Sequence, residues 1–257
     1  SNTANGDGGG IHVQGSNPDT SKVIILASSI NGNETNNGGG GLFANEYCII
    51  NITESSITNN ISVTQGGGIH NKGVLRVHQT QIEDNLVTSN SGGGLYSSGP
   101  FSLHDSHILS NETSHNRGGG IFSTGGGTAT LPDTIINCII SNNYSKEAGG
   151  GMCVQDYSTF YMVNTLITNN TVGTDENTAY GGGIYSYLNT AGDIDPKMIN
   201  CTVANNQVIG SGSNGGIYTQ GQSLTQEMYN TIVWHNDPLH SLGGSPSHSN
   251  IEGQSNT

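Results

Sequence analysis

Residues 66–111 read GGGIHNKGVLRVHQTQIEDNLVTSNSGGGLYSSGPFSLHDSHILSN. Two phrases occur twice in this stretch at one spacing: Gly66–Ile69 returns as Gly92–Leu95, and Ile82-x-x-Asn85 returns as Ile108-x-x-Asn111, each 26 residues on. Over the whole chain the glycine run with its aliphatic residue appears eight times, closing at Ile11, Leu42, Ile69, Leu95, Ile121, Met152, Ile184 and Ile217. The steps are 31, 27, 26, 26, 31, 32 and 33 residues. The aliphatic-x-x-Asn phrase also appears eight times, from Ile30 with Asn33 to Val233 with Asn236. Two further columns keep the same register. Five residues before the aliphatic position stand Ile25, Ile52, Val77, Leu103, Ile135, Met162, Met198 and Met228, all apolar. Two before it stand Ser28, Ser55, Thr80, Ser106, Cys138, Thr165, Cys201 and Thr231, all small.

A unit of about 26 residues, reading as three short strands, cannot bury its own apolar face, whereas stacked units bury a continuous one. Nothing in the chain has helical period, and the Leu-x-x-Leu-x-Leu spacing of leucine-rich repeats is absent. The expectation is an all-β solenoid, a parallel β-helix of eight to nine coils. With one strand spacing of ~4.8 Å per coil it forms a rod of roughly 40 Å. Residues 1–257 read as one such segment, belonging to a longer or polymerising chain. The longer steps call for local loops at SKEAGG (145–150), TVGTDENTAY (171–180) and LNTAGDIDP (188–196), and SPSHSNIEG (245–253) reads as the start of a ninth coil. Glycine runs suit sharp corners that demand positive φ or close backbone approach. The asparagine column suits a stacked amide ladder. The first residues, SNTANGDGGGI, read as beginning just after that column.

Composition narrows the partners. Six Lys plus Arg against 19 Asp plus Glu give a net charge of −13, which argues against nucleic acid and leaves an anionic polysaccharide needing bridging cations. Forty glycines with only 10% charged residues fit neither a disordered chain nor a coiled coil. No apolar run reaches the ~18 residues of a membrane span, and the opening residues are neither a signal peptide nor an initiator Met, as expected of a processed segment. Cys48, Cys138, Cys153 and Cys201 show no C-x-x-C spacing, so no zinc site is read, and no cofactor motif accompanies the glycine runs. Cys138 and Cys201 share a column with Thr165 between them, about two strand spacings apart and beyond the ~7 Å limit for a disulfide. Sequons stand at Asn33, Asn51, Asn60, Asn111, Asn143, Asn169 and Asn200, about the number that this composition yields by chance.

The pairing of GGG-aliphatic with aliphatic-x-x-Asn resembles the GGA(I/L/V) and FxxN repeats of polymorphic outer-membrane proteins. More broadly it resembles bacterial right-handed parallel β-helix surface proteins of pectate-lyase-like fold, with Gly in place of the alanine and Ile or Val in place of the Phe. The segment NTIVWHNDPLHSLGGSPSHSNIEG (230–253) is similar to the last coils of such proteins. The resemblance implies a right-handed coil and an extracellular or cell-surface setting. It does not fix an activity, because this fold carries lyases, hydrolases, adhesins, passenger domains and fibres.

Two groups of residues are candidates for function. One position after each corner aliphatic stand His12, Phe43, His70, Tyr96, Phe122, Cys153, Tyr185 and Tyr218. Alternation sends this column outward, where a ladder of rings could bind sugar faces or another subunit, with Cys153 as the interruption. The second group is His78 and His104 in adjacent coils, with Glu54 and Asp105 in the next column, a candidate acid/base or weak metal patch. The Asp cluster of the lytic relatives, and the Asn-Thr-Asp, Asp-Asp and Gly-His-Gly signatures of pectin hydrolases, are not found. The sequence therefore favours a non-catalytic structural or adhesive scaffold, partnered by its own copies head to tail, by flanking solenoid or by glycans. A polysaccharide lyase or glycosidase is the alternative.

Overall fold

The computed structural model describes residues 1–17, 19–126, 132–156, 159–173, 179–188, 197–210, 212, 214–221, 227–238 and 249–251. The first coil runs through four strands, β1 (Thr3–Ala4), β2 (Ile11–Val13), β3 (Ser21–Leu26) and β4 (Ser29–Asn31). The next seven coils repeat them, and like pairs with like in parallel, so among the described residues the β1, β2 and β3 sheets hold eight strands each and the β4 sheet nine. The chain is an all-β parallel solenoid. A three-strand coil was expected. The fourth strand is the two- or three-residue piece after each Asn turn, such as Ile61–Ser62, too short to show alternation in sequence.

The solenoid completes about seven turns rather than eight to nine, because eight stacked strands are joined by seven steps. Among the described residues the ninth coil contributes one strand, Asn250–Ile251, paired with Ile232–Trp234. The loops expected at 171–180 and 188–196 fall largely on 174–178 and 189–196, outside the described residues, as does the chain after Ile251. The loop expected at SKEAGG is corrected. Ser145 to Gly151 make an ordinary turn into the glycine corner, and the extra residues of that coil lie between Ile121–Thr124 and Asp133–Ile136.

Register follows the columns read from the sequence. Ile57, Ile82 and Ile108 are direct neighbours in the β4 sheet, and Ile52, Val77 and Leu103 in the β3 sheet. Strand Cys48–Thr53 alternates buried and half-buried residues, the period-two pattern of a sheet with one face in a core. The inward members of all coils fuse into one apolar cluster from Val13 to Ile251. No coil owns that core, since each residue packs mainly on its counterparts above and below.

Polar columns are buried in the same wall. Asn60 donates through Nδ2 to Asn85 Oδ1 (3.0 Å) and to the Ile30 carbonyl (3.0 Å), while its Oδ1 accepts from Asn33 Nδ2 (2.9 Å) and the Asn33 N–H (3.0 Å). All four hydrogen-bonding positions of the amide are used, which removes a penalty of ~1–3 kcal/mol per orphaned group. The ladder continues to Asn236. Its first member is Asn2, which donates from N–H and Nδ2 to Asn33 Oδ1, so the chain begins inside the column rather than after it. Asn2 escaped the sequence pattern because the position three before it lies outside the sequence. Sequons at Asn33, Asn60, Asn111 and Asn143 are buried in this ladder, whereas Asn169 and Asn200 are exposed.

The small column between the β3 and β4 sheets is more than small. Thr80 Oγ1 donates to the His78 carbonyl (2.9 Å) and accepts the Ser55 N–H (3.3 Å), and Ser106 Oγ takes the Thr80 N–H (3.1 Å). Cys138 and Cys201 substitute a weak thiol donor to the carbonyl two residues back (both 3.3 Å). All four cysteines are free and buried, with Thr165 separating Cys138 from Cys201 in this column.

The glycine corner explains each of its three residues. Gly92 has φ +77°, and a Cβ on Gly93 would stand 2.4 Å from the Gly119 carbonyl oxygen of the next coil. A Cβ on Gly94 would stand 2.9 Å from Asn111 Cγ, and the last glycine of every corner meets an asparagine amide in the same way, at 2.8–3.0 Å. The two repeated phrases of the sequence are thus one contact. The absent side chain makes the slot in which the amide ladder lies.

Candidate functional site

The aromatic column stands on the outer face of the β2 sheet, clear of the main core. His12, Phe43, His70, Tyr96 and Phe122 succeed one another with ring centroids 4.9, 5.0, 4.9 and 5.1 Å apart, the first three contacts edge-on and the last stacked. Cys153 interrupts the rings, and Tyr185 and Tyr218 resume them at 5.8 Å. Outward does not mean open, however. Phe43, His70, Phe122, Cys153 and Tyr185 are buried, Tyr96 and Tyr218 half-buried, and His12 is exposed. Turns that lead into the later glycine corners fold over the column, with Tyr180 stacked on Tyr218 at 4.5 Å and the Arg117 guanidinium 5.6 Å above Tyr185. Phe122, Ala148, Cys153 and Tyr185 form a second small core. The alternation argument gave the face correctly but could not see this cover, because the covering turn comes from residues with no apolar pattern.

His70 is the polar member of that column. It is 3% exposed, and neither ring nitrogen has a hydrogen-bond partner. Burial, with a smaller contribution from Lys72, pushes its pKa down to about 3, so the ring is neutral and acts as an aromatic spacer between Phe43 and Tyr96.

The second candidate group is brought together. His78 and His104 are register partners on the outer β3 sheet, and His78 Nε2 lies 3.1 Å from Asp105 Oδ2. Asp105, Gln79 and Glu54 each have φ near +50° and occupy one column at the bend from the β3 to the β4 sheet. A left-handed residue followed by an inward hydroxyl turns the chain sharply, and the outer surface is notched there. The notch is an open groove of about 710 Å³ along the rod, lined by Glu54, Gln79 and Asp105 on one side and Ser56, Gln81 and His107 on the other. Glu54 and Asp105 are two coils apart, ~9.6 Å.

Later coils fill the same column with asparagine, a feature that sequence reasoning missed. Asn137, Asn164, Asn200 and Asn230 all have φ of 48–54° and are exposed. Asn230 Nδ2 donates to Asn200 Oδ1 (3.1 Å), Asn200 to Asn164 (3.1 Å), Asn164 to Asn137 (3.2 Å), and Asn137 to Asp105 Oδ1 (3.0 Å). This outer ladder donates toward earlier coils, opposite in direction to the buried one. Its N–H end rests on Asp105, and that hydrogen bond, aided by His78, holds the Asp105 carboxyl below its ordinary pKa. The signal was available: the residue three before each aliphatic position is Asn137, Asn164, Asn200 and Asn230 in the last four coils. Half-buried aliphatics flank the outer ladder, Ile136 and Ile139 in one coil and Val163 and Leu166 in the next.

No group of three or more His, Cys, Asp or Glu side chains among the described residues has the geometry to hold a metal ion. Among the described residues no helix is long and apolar enough to cross a membrane. Comparison with protein-family models, curated proteins and solved structures finds no match, so the functional reading is carried by the residues themselves.

Proposed function

We propose that the protein is a non-catalytic β-solenoid scaffold of the bacterial repeat-surface-protein kind, working outside the cell or on its surface in a structural or adhesive role. The observation that carries this reading is the investment of its polar residues in ladders. Asparagines, hydroxyls and even a histidine are stacked coil on coil to hold a rod, while the densest ionisable patch sits on an open face. There Asp105 is held ionised by Asn137 and His78, unsuited to donate a proton, and Glu54 is its nearest carboxylate in the column, two coils off. Partners consistent with this reading are another copy, flanking solenoid or a glycan.

A polysaccharide lyase or glycosidase is the second reading. It draws on the same pair, since ~9.6 Å lies near the upper end of the ~6.5–9.5 Å separation of inverting carboxylates. Incubation with neutral and acidic polysaccharides, with and without calcium, separates the two. The scaffold reading expects no new reducing ends and no unsaturated products, and turnover abolished by Asp105→Asn would replace it with the enzyme.

A further inference from the structure

We infer that the notch between the β3 and β4 sheets is a binding track for an extended, uncharged polysaccharide chain lying along the rod axis. The inference deepens the adhesive reading and rests on it. The track is one column over eight coils, from Ala27 through Glu54, Gln79 and Asp105 to Asn230, spanning ~34 Å at one strand spacing per coil. In the earlier coils it is a groove with polar walls, and in the later coils a row of amides.

The hydrogen-bonding pattern argues for hydroxyl groups. Asn137, Asn164 and Asn200 each spend one N–H and one lone pair on ladder neighbours, which leaves each exposed side chain one N–H and one lone pair to offer. A donor and an acceptor are therefore offered together in each of these later coils, and a sugar hydroxyl, which both gives and accepts, matches that pair. The spacing argues for sugars over peptide. Steps of ~4.8 Å are close to the length of one pyranose unit, whereas an extended peptide advances ~3.3 Å per residue and falls out of step. Beside the amides, Ile136, Ile139, Val163 and Leu166 offer apolar banks for the C–H faces of the rings. Charge excludes other polymers. The groove lining contains Glu54 and Asp105 and neither Lys nor Arg, so uronates, sulfated glycans and nucleic acid are repelled.

The test uses cello-, xylo-, manno- and N-acetylchito-hexaose as probes by calorimetry on the intact protein, with hexagalacturonate and an extended uncharged peptide as counter-probes. At least one neutral hexasaccharide is expected to bind and to protect His107 and Tyr229 from hydroxyl-radical footprinting while leaving Tyr47 unprotected. The double variant Asn137→Gly/Asn164→Gly keeps the left-handed backbone and removes the amides; it should weaken binding at least about tenfold. Asn169→Gly, on the other exposed left-handed corner, should not. The track is overturned if no neutral probe binds, if the uronate or the peptide binds best, or if the double variant, folded by thermal melt, binds like the parent. Absence of both binding and turnover removes the track and leaves the scaffold. Binding accompanied by turnover removes the non-catalytic reading and leaves the track.

Discussion

His70 shows how one residue can be aromatic and titratable at once, with the packing role winning. Its ring lies 5.0 Å from Phe43 and 4.9 Å from Tyr96, filling the coil between them, and the two unpaired nitrogens are tolerated because the neutral ring carries no charge into the buried site. The folded pKa of about 3 lies below the ordinary value of 6.5, so the unfolded chain binds the proton first. This residue's contribution to stability is complete above about pH 6.5 and is lost as pH falls toward 3, a loss on the order of 5 kcal/mol. His70→Phe should therefore leave stability at pH 7 unchanged or higher and flatten the dependence between pH 6 and pH 4, which urea denaturation across that range would measure. An equal slope in parent and variant would assign the acid sensitivity to another group. The left-handed residues teach a different lesson. Asn137, Asn164, Asn200 and Asn230 suit positive φ as single residues, but only stacking turns them into a ladder with a direction.

At the scale of the element, the corner and the ladder stabilise each other. Gly94 has no side chain so that Asn111 can reach Asn143 Oδ1 (3.0 Å) and the Ile82 carbonyl (2.9 Å) at once. Gly94→Ala should displace that amide and orphan several of its partners, costing roughly 2–4 kcal/mol, while Gly125→Ala, whose Cβ would meet nothing, tests the separate cost of positive φ. Asn111→Ala in the Gly94→Ala background should add less than it costs alone, because both changes break one contact. Thermal melts of the four proteins supply the cycle, and strict additivity would contradict a shared contact. The sequence displayed both phrases in every repeat. Their touching was not legible, since 17 residues separate Gly94 from Asn111 in the chain and the bend that joins them is tertiary.

For the whole molecule, a one-dimensional stack has no remote part to support a damaged coil. Ile108 is fully buried between Ile82 and Ile140 in the middle of the rod. Ile108→Asp would put an unpaired carboxylate there and is expected to cost more than ~4 kcal/mol, enough to open that coil. Hydrogen exchange should show protection lost first around His107–Leu109 and then in the strands on either side, Gln81–Glu83 and Ile139–Ser141. Thr58→Asp, on the outer face of the same sheet, should leave exchange unchanged. Uniform loss over all coils at once would show that the rod unfolds as a single unit instead.

The sequence by itself determined the solenoid, its parallel register, the inward aliphatic columns and the buried amide ladder, because each depends on identical residues recurring at one spacing, and stacking converts that recurrence directly into contact. It also put His78 beside His104, with Asp105 and Glu54 in the neighbouring column. Only the tertiary structure decided that much of the aromatic column is roofed by turns, that the last glycine of each corner makes room for an asparagine, and that the exposed asparagines in the column of Asp105 hydrogen-bond into a ladder that ends on it. Those facts depend on how the coil bends in cross-section. Bending is set by single left-handed residues and missing side chains, such as Asp105 and Gly94; they recur once per coil, but recurrence gives a column and not the angle at which the chain turns or what it meets there.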